Sequence, residues 1–196
     1  MGKNLFDWEQ YLNIDTSGRD DYFEDDDHHP YEPTDYEVLE LLLDTPYINN
    51  NDKLIDFGSG KGRVAFFLAK QYDIEICGVE FEESMYQKSL TNLKQNQYSN
   101  IKFIQCDARN YHISDETIFF FFNPFPIHVL RKVIQNIISA YYENPRKQIL
   151  IFYYPSSEYM QYLLSIPEIS LIDIIDCQEV LNVENAKEVL TIFEIS

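Results

Sequence analysis

A strand-like run from Lys53 to Phe57 carries an acid next to its end and passes directly into Gly58, Gly60 and Gly62 before a helix begins. No other feature constrains the chain as much. Glycines at alternate positions let the backbone turn sharply and approach a ligand closely, while N–H groups at a helix start attract negative charge. A strand, a glycine loop and a helix in that order make the first βα unit of an open α/β sheet, and the loop is shaped to hold something small.

The rest of the chain keeps that rhythm. Helix-like Gly62–Gln71 leads to strand-like Ile74–Glu80, helix-like Glu82–Asn96 and strand-like Ile101–Gln105. Strands over Thr117–Phe122 and Gln148–Tyr154 then alternate with helices over Ile127–Tyr141 and Ser157–Leu164. Such alternation predicts right-handed βαβ units on a parallel, doubly wound sheet. The pattern breaks at the end, where Ser170–Val180 and Glu188–Glu194 both read as strands around a turn at Asn182–Ala186, a closing antiparallel hairpin. Upstream, Val38, Leu39, Leu41, Leu42 and Leu43 predict a helix over Thr34–Asp44, capped by Thr34 or Asp35 and stopped before Pro46. Residues 1–33, with Trp8, Tyr11, Leu12 and Ile14 ahead of the acidic run Asp20–Asp27, are expected to form a short helix and a solvated loop. They read as an acidic arm or lid before one domain over 34–196.

Three other glycine motifs compete for the loop. A phosphate-binding P-loop has Ser or Thr after Gly-Lys and a glycine five residues before that pair, but here Lys61 precedes Gly62 and position 55 is Ile. A dinucleotide fingerprint has Gly or Ala at the fifth place after its first glycine, where this chain has Arg63. The triplet Asp56-Phe57-Gly58 matches a kinase signature, yet no catalytic-loop match accompanies it. Asp56-Phe57-Gly58-Ser59-Gly60-Lys61-Gly62-Arg63 instead resembles the first motif of class I S-adenosylmethionine-dependent methyltransferases. The resemblance covers about residues 31–195. It implies a Rossmann-like sheet of seven strands, S-adenosylmethionine as cofactor, and a loop in which Asp56, Gly58, Ser59, Gly60, Gly62 and Arg63 hold it.

The resemblance extends to the following strand ends. Glu80, 24 positions after Asp56, takes the ribose-binding role, with Phe81 stacking on adenine. A helix N-cap acid would look the same at Glu80. Asp107 and Ala108 take the adenine-edge roles, although an Asp after a strand is also a common turn residue. Asn123-Pro124-Phe125 resembles the Asn-Pro-Pro-Tyr/Phe motif of amino-directed methyltransferases without its second proline. In that motif the amide and a proline carbonyl orient the target nitrogen and the aromatic ring packs on the substrate; a plain proline turn is the alternative. Tyr31 and Thr34 are placed near the methionine end. The implied reaction is methyl transfer to a nitrogen of a protein or small-molecule acceptor. A non-catalytic cofactor-binding scaffold, or aminopropyl transfer on the same sheet, is the alternative.

Charge narrows the acceptor. The net charge is −18, and the first 40 residues hold 13 acids against 2 bases, leaving 20 acids and 13 bases for the remainder. Long nucleic acid meets unfavourable electrostatics on such a chain. Cys77, Cys106 and Cys177 have no metal-type spacing and read as reduced structural thiols. His28-His29 reads as part of a solvated loop rather than a metal site. The N-terminus lacks an apolar signal core, Phe6 stands where a myristoylation signal has Ser or Thr, and the longest apolar run, Ile118–Phe122, is too short to span a bilayer. A cytoplasmic protein is expected.

Overall fold

The computed structural model describes residues 6–19 and 31–196; the acidic run Asp20–Asp27 and the pair His28-His29 lie outside the described residues. In chain order the elements are α1 (Trp8–Leu12), α2 (Tyr36–Leu43), β1 (Lys53–Phe57), α3 (Arg63–Gln71), β2 (Glu75–Glu80), α4 (Glu83–Gln95), β3 (Ile101–Gln105), β4 (Ile118–Phe122), α5 (Ile127–Glu143), β5 (Gln148–Tyr153), α6 (Ser157–Leu163), β6 (Ile169–Asp176), α7 (Gln178–Leu181) and β7 (Val189–Ile195). A single 3₁₀ turn, Ala108–Asn110, follows β3.

The seven strands form one sheet in the order β3-β2-β1-β4-β5-β7-β6. β7 runs antiparallel between β5 and β6, as expected for a closing hairpin, and the other pairings are parallel. The chain leaves β1 for β2 on one side and returns to β4 on the other, which opens a crevice at the carboxyl ends of β1 and β4. Strands covered on both faces are apolar throughout rather than alternating. In β4, Phe120 therefore packs with Phe66 and Phe67 of α3, while Phe119 and Phe121 pack with Val133 and Ile137 of α5.

The predicted strand Ser170–Val180 ends early, at Asp176. The Asp176 carboxylate accepts from the Gln178 N–H at 2.8 Å and from the Gln178 side chain, so the backbone coils into α7 instead of continuing the ladder. Asn182, in the left-handed region at φ 55°, ends that turn. α2 starts at Asp35 without a side-chain capping bond. Thr34 is buried, and its carbonyl serves Arg63 instead. The N-terminal segment is part of the body: Leu12, Ile14 and Thr16 point inward at alternate positions, and the two apolar ones join the core on the α3 side.

Candidate functional site

Thirteen of the residues singled out from the sequence line one cleft at the carboxyl edge of the sheet: Tyr31, Thr34, Asp56, Gly58, Ser59, Arg63, Glu80, Phe81, Asp107, Ala108, Asn123, Pro124 and Phe125. The cleft encloses about 1010 Å³ including its open mouth. Gly60 and Gly62 do not line it; they shape it from behind.

The glycine loop is braced on all sides. Gly58 N and Ser59 N donate to Val79 O at 2.9 and 3.1 Å, Gly60 N donates to Glu80 Oε2 at 2.7 Å, and Gly62 N donates to Ser59 O at 2.8 Å. These four loop N–H groups are therefore engaged within the protein, which leaves N–H groups at the start of α3 able to meet a ligand. Gly60 sits at φ 53° with the Tyr31 ring packed where a Cβ would project. A Cβ on Gly58, at φ 76°, would lie 2.5 Å from Pro124 Cβ, so the loop after β1 and the turn after β4 touch directly.

Two acids stand side by side on β1 and β2, and their surroundings differ. Glu80 is tied down, with Oε2 accepting from Gly60 N and Oε1 from Glu82 N at 2.8 Å. Burial raises its pKa, opposed by the backbone N–H groups of Glu82, Gly60 and Phe81. Asp56 is 3% exposed, and among the described residues nothing donates a hydrogen bond to its carboxyl. Burial, and then the charge of Glu80, push its pKa up from 3.8 to about 8. Ser59 Oγ is likewise buried with no partner among the described residues.

Other cleft-lining side chains make contacts that the sequence did not suggest. Arg63 lines the cleft, but its guanidinium is directed into the N-terminal segment. Nε donates to Thr16 Oγ1 at 2.8 Å, Nη1 to Thr34 O at 3.0 Å and Nη2 to Glu9 Oε1 at 3.0 Å, and the group stacks 4.5 Å from the Tyr36 ring centre. Sequence reasoning could not see this, because Glu9 lies 54 positions away. Asp107 is clamped by Arg109, with Nε at 2.9 and Nη2 at 2.6 Å from Oδ2, and it caps the short 3₁₀ turn as well. Asn123 adopts φ 40° at the end of β4. The Phe125 ring is 6% exposed, packs edge-on against Phe121, and its carbonyl accepts from Tyr159 Oη. Phe122 is a half-buried aromatic on the cleft wall, 4.5 Å from the Tyr153 ring. Sequence reasoning passed over Phe122 as the last residue of an apolar strand; its place immediately before the Asn-Pro turn was the available signal.

A family model described as a methyltransferase domain matches residues 48–149, just over half of the 196. The chain belongs to the methyltransferase-domain family. As seen in its sheet order, this methyltransferase domain has the Rossmann-like fold of S-adenosylmethionine-dependent methyltransferases. A structure of such an enzyme from Aquifex aeolicus superposes with a TM-score of 0.61 at 12% identity, covering 81% of this chain and 89% of the other. Among curated relatives, a protein-lysine N-methyltransferase of Saccharolobus islandicus is 30% identical over 70 residues, 35% of this chain and 44% of the relative. An rRNA adenine N-6-methyltransferase of Limosilactobacillus reuteri is 26% identical over 97 residues, 50% of this chain and 38% of the relative. The chain thus matches less than half the length of each of these relatives.

Among the described residues no three His, Cys, Asp or Glu side chains are placed to hold a metal ion, and no helix is long and apolar enough to cross a membrane. Burial pushes the thiols of Cys77, Cys106 and Cys177 up, which disfavours the nucleophilic thiolate.

Proposed function

We propose that this chain binds S-adenosylmethionine in the cleft and transfers its methyl group to a nitrogen of a protein or small-molecule acceptor. One observation carries the cofactor half: Asp56, buried at the cleft wall with no donor among the described residues. Burying a carboxyl without a partner costs free energy, and a ligand ammonium supplies both a donor and a counter-charge. S-adenosylmethionine carries such an ammonium. The rest of the wall fits it as well. Glu80 keeps acceptor capacity beyond its two backbone bonds for ribose hydroxyls, Phe81 is 46% exposed at the rim and offers a face to adenine, and the glycines let Pro124 and Tyr31 close against the loop and shape the cleft.

The bound cofactor would supply a methyl carbon made electrophilic by its sulfonium. The work of the chain is to hold and orient the partners and to exclude water, so it needs no strong base of its own. Asn123 and Pro124 stand at the end of β4 against Gly58, where an amide oxygen and a carbonyl can accept from an N–H of the acceptor. The names of the two curated relatives, which specify lysine and adenine nitrogens, support a nitrogen target. The charge of −18 favours a protein or small molecule over long RNA. Residues 1–33 are proposed as the arm that covers the cofactor end.

The test pairs calorimetry with S-adenosylhomocysteine and a labelled-methyl screen against cell extract. Binding with transfer is expected. Absence of binding would sink the cofactor assignment, and binding without transfer to any acceptor would leave a scaffold. Once an acceptor is found, the Asp-Phe-Gly loop is left intact and Asn123→Ala is assayed; full turnover in that variant would refute the nitrogen-directed reading.

A further inference from the structure

We infer that Asn92, a residue remote from the cleft lining, is a positioning residue for the cofactor loop; the inference rests on the cofactor reading above. α4 turns Met85, Ser89 and Asn92 inward, and at 3% exposure Asn92 occupies a position where an apolar side chain is the ordinary choice. A buried amide is tolerated only when it is hydrogen-bonded. Asn92 Oδ1 accepts from Asp15 N at 3.0 Å, while Nδ2 donates to Asp15 O at 3.1 Å and to Lys61 O at 3.1 Å. The first two bonds grip both backbone groups of residue 15, as a neighbouring strand would. The third reaches the carbonyl between Gly60 and Gly62, so one side chain joins α4, the N-terminal segment and the glycine loop.

The grip continues toward the cleft. Thr16, next to Asp15, accepts from Tyr31 Oη at 2.6 Å through its carbonyl and from Arg63 Nε at 2.8 Å through its hydroxyl. Tyr31 in turn lies over Gly60. Lys61 closes the seam from the loop side, with Nζ donating to Ser17 O and standing 4.8 Å from the Tyr31 ring centre. Asn92 thereby sets how far the segment stands from the loop and where Tyr31 rests above it. Each polar atom of its amide is satisfied, which makes the arrangement stiff.

The test measures S-adenosylhomocysteine affinity by calorimetry on protein shown to be folded by circular dichroism, so that lost stability alone does not move the readout. Asn92→Leu keeps the branching and heavy-atom count and removes all three bonds; about tenfold weaker binding is expected, equivalent to about 1.4 kcal/mol and so to the net worth of about one hydrogen bond in the loop's support. Ser89→Ala is the control. Ser89 is equally buried on the same face, but its hydroxyl bonds only to Tyr86 O within α4, so affinity within about twofold of wild type is expected. Asn92→Asp keeps the shape and the acceptor for Asp15 N but loses both Nδ2 donations, should also weaken binding, and decides the matter if Asn92→Leu does not fold. Unchanged affinity in the folded seam variants, or equal losses in Ser89→Ala, would overturn the inference alone. A wild-type chain that binds no S-adenosylhomocysteine would overturn the cofactor reading and this inference with it.

Discussion

Asp56 makes stability depend on pH in a direction opposite to that of most carboxylates. Its native pKa is raised from 3.8 to about 8 by burial and by Glu80, so between those values the native chain holds a proton that the unfolded chain has released. Stability then falls as pH rises through that window, by about 1.4 kcal/mol per unit for one group, and levels off above about 8. Asp56→Asn keeps the shape and removes the titration. Between pH 5 and 7 the wild type should lose about 3 kcal/mol relative to Asp56→Asn, since two units at that slope give this figure. Glu80 faces a neutral neighbour in both proteins over this range, and the remaining groups are shared, so the difference between the two curves isolates Asp56. Urea unfolding of both proteins at pH 5, 6 and 7 measures it. Parallel curves would refute the reasoning. The ligand gives a second readout: if its ammonium drives Asp56 to ionise, S-adenosylhomocysteine binding at pH 7 should release close to one proton per site. Heats measured in buffers of different ionisation enthalpy would show that release, and Asp56→Asn should abolish it.

Gly60→Ala should weaken S-adenosylhomocysteine binding by at least about tenfold, because a Cβ collides with the Tyr31 ring and φ of 53° strains a non-glycine residue by about 1 kcal/mol; unchanged affinity in calorimetry would contradict the loop geometry. Arg63→Ala should destabilise the chain by about 3 kcal/mol in urea unfolding, since it strips partners from Glu9, Thr16 and the Thr34 carbonyl; a loss below about 1 kcal/mol would mean the buried network is dispensable. Tyr159→Phe removes the hydroxyl that holds the Phe125 carbonyl, and should lower methyl transfer while cofactor affinity stays within about twofold. An equal loss in cofactor affinity would show that the turn after β4 does not act separately from the loop after β1.

The framework was legible because its signals are local. Strands buried on both faces are nearly continuously apolar, so Ile118–Phe122, and Leu54–Phe57 with the single exception of Asp56, could be read without knowledge of their neighbours, and residues of chemical interest fell where that pattern changed. Asp56, Glu80, Asp107 and Asn123 were found in this way, each just inside or just beyond a strand end. The difficulties arose where a side chain acts over a long sequence distance. Arg63 is placed with the cofactor because it follows the glycines; it does line the cleft, but nothing in the sequence hints that its guanidinium bonds run to the N-terminal segment and to Thr34. Phe125 reads as the substrate-facing ring although this chain lacks the motif's second proline; the ring lines the cleft but is mostly buried toward α5, and Phe122 beside it is the more exposed of the two. Asn92 gave no sign at all. A polar residue every few positions is normal on an amphipathic helix, and only its bonds to Asp15 and Lys61 distinguish it.

The acidity of the chain divides into two parts once these contacts are known. Glu9 is no solubilising charge; it accepts from Arg63, Thr16 and Tyr36, and its role is to seat the N-terminal segment. Among the described residues that line the cleft, the acids Glu32, Glu80, Glu82 and Asp107 stand with two arginines, both held in ion pairs, Arg63 with Glu9 and Arg109 with Asp107, while Glu32 is paired with Arg19. A phosphate backbone approaching that wall would have to draw a guanidinium out of a partly buried pair, which leaves a carboxylate without its partner and costs about as much as the new interaction returns. An ammonium-bearing acceptor meets no such barrier, since the local field already attracts it. The charge distribution around this cleft is therefore consistent with the proposed amino acceptor, and a long polyanion meets the higher electrostatic cost.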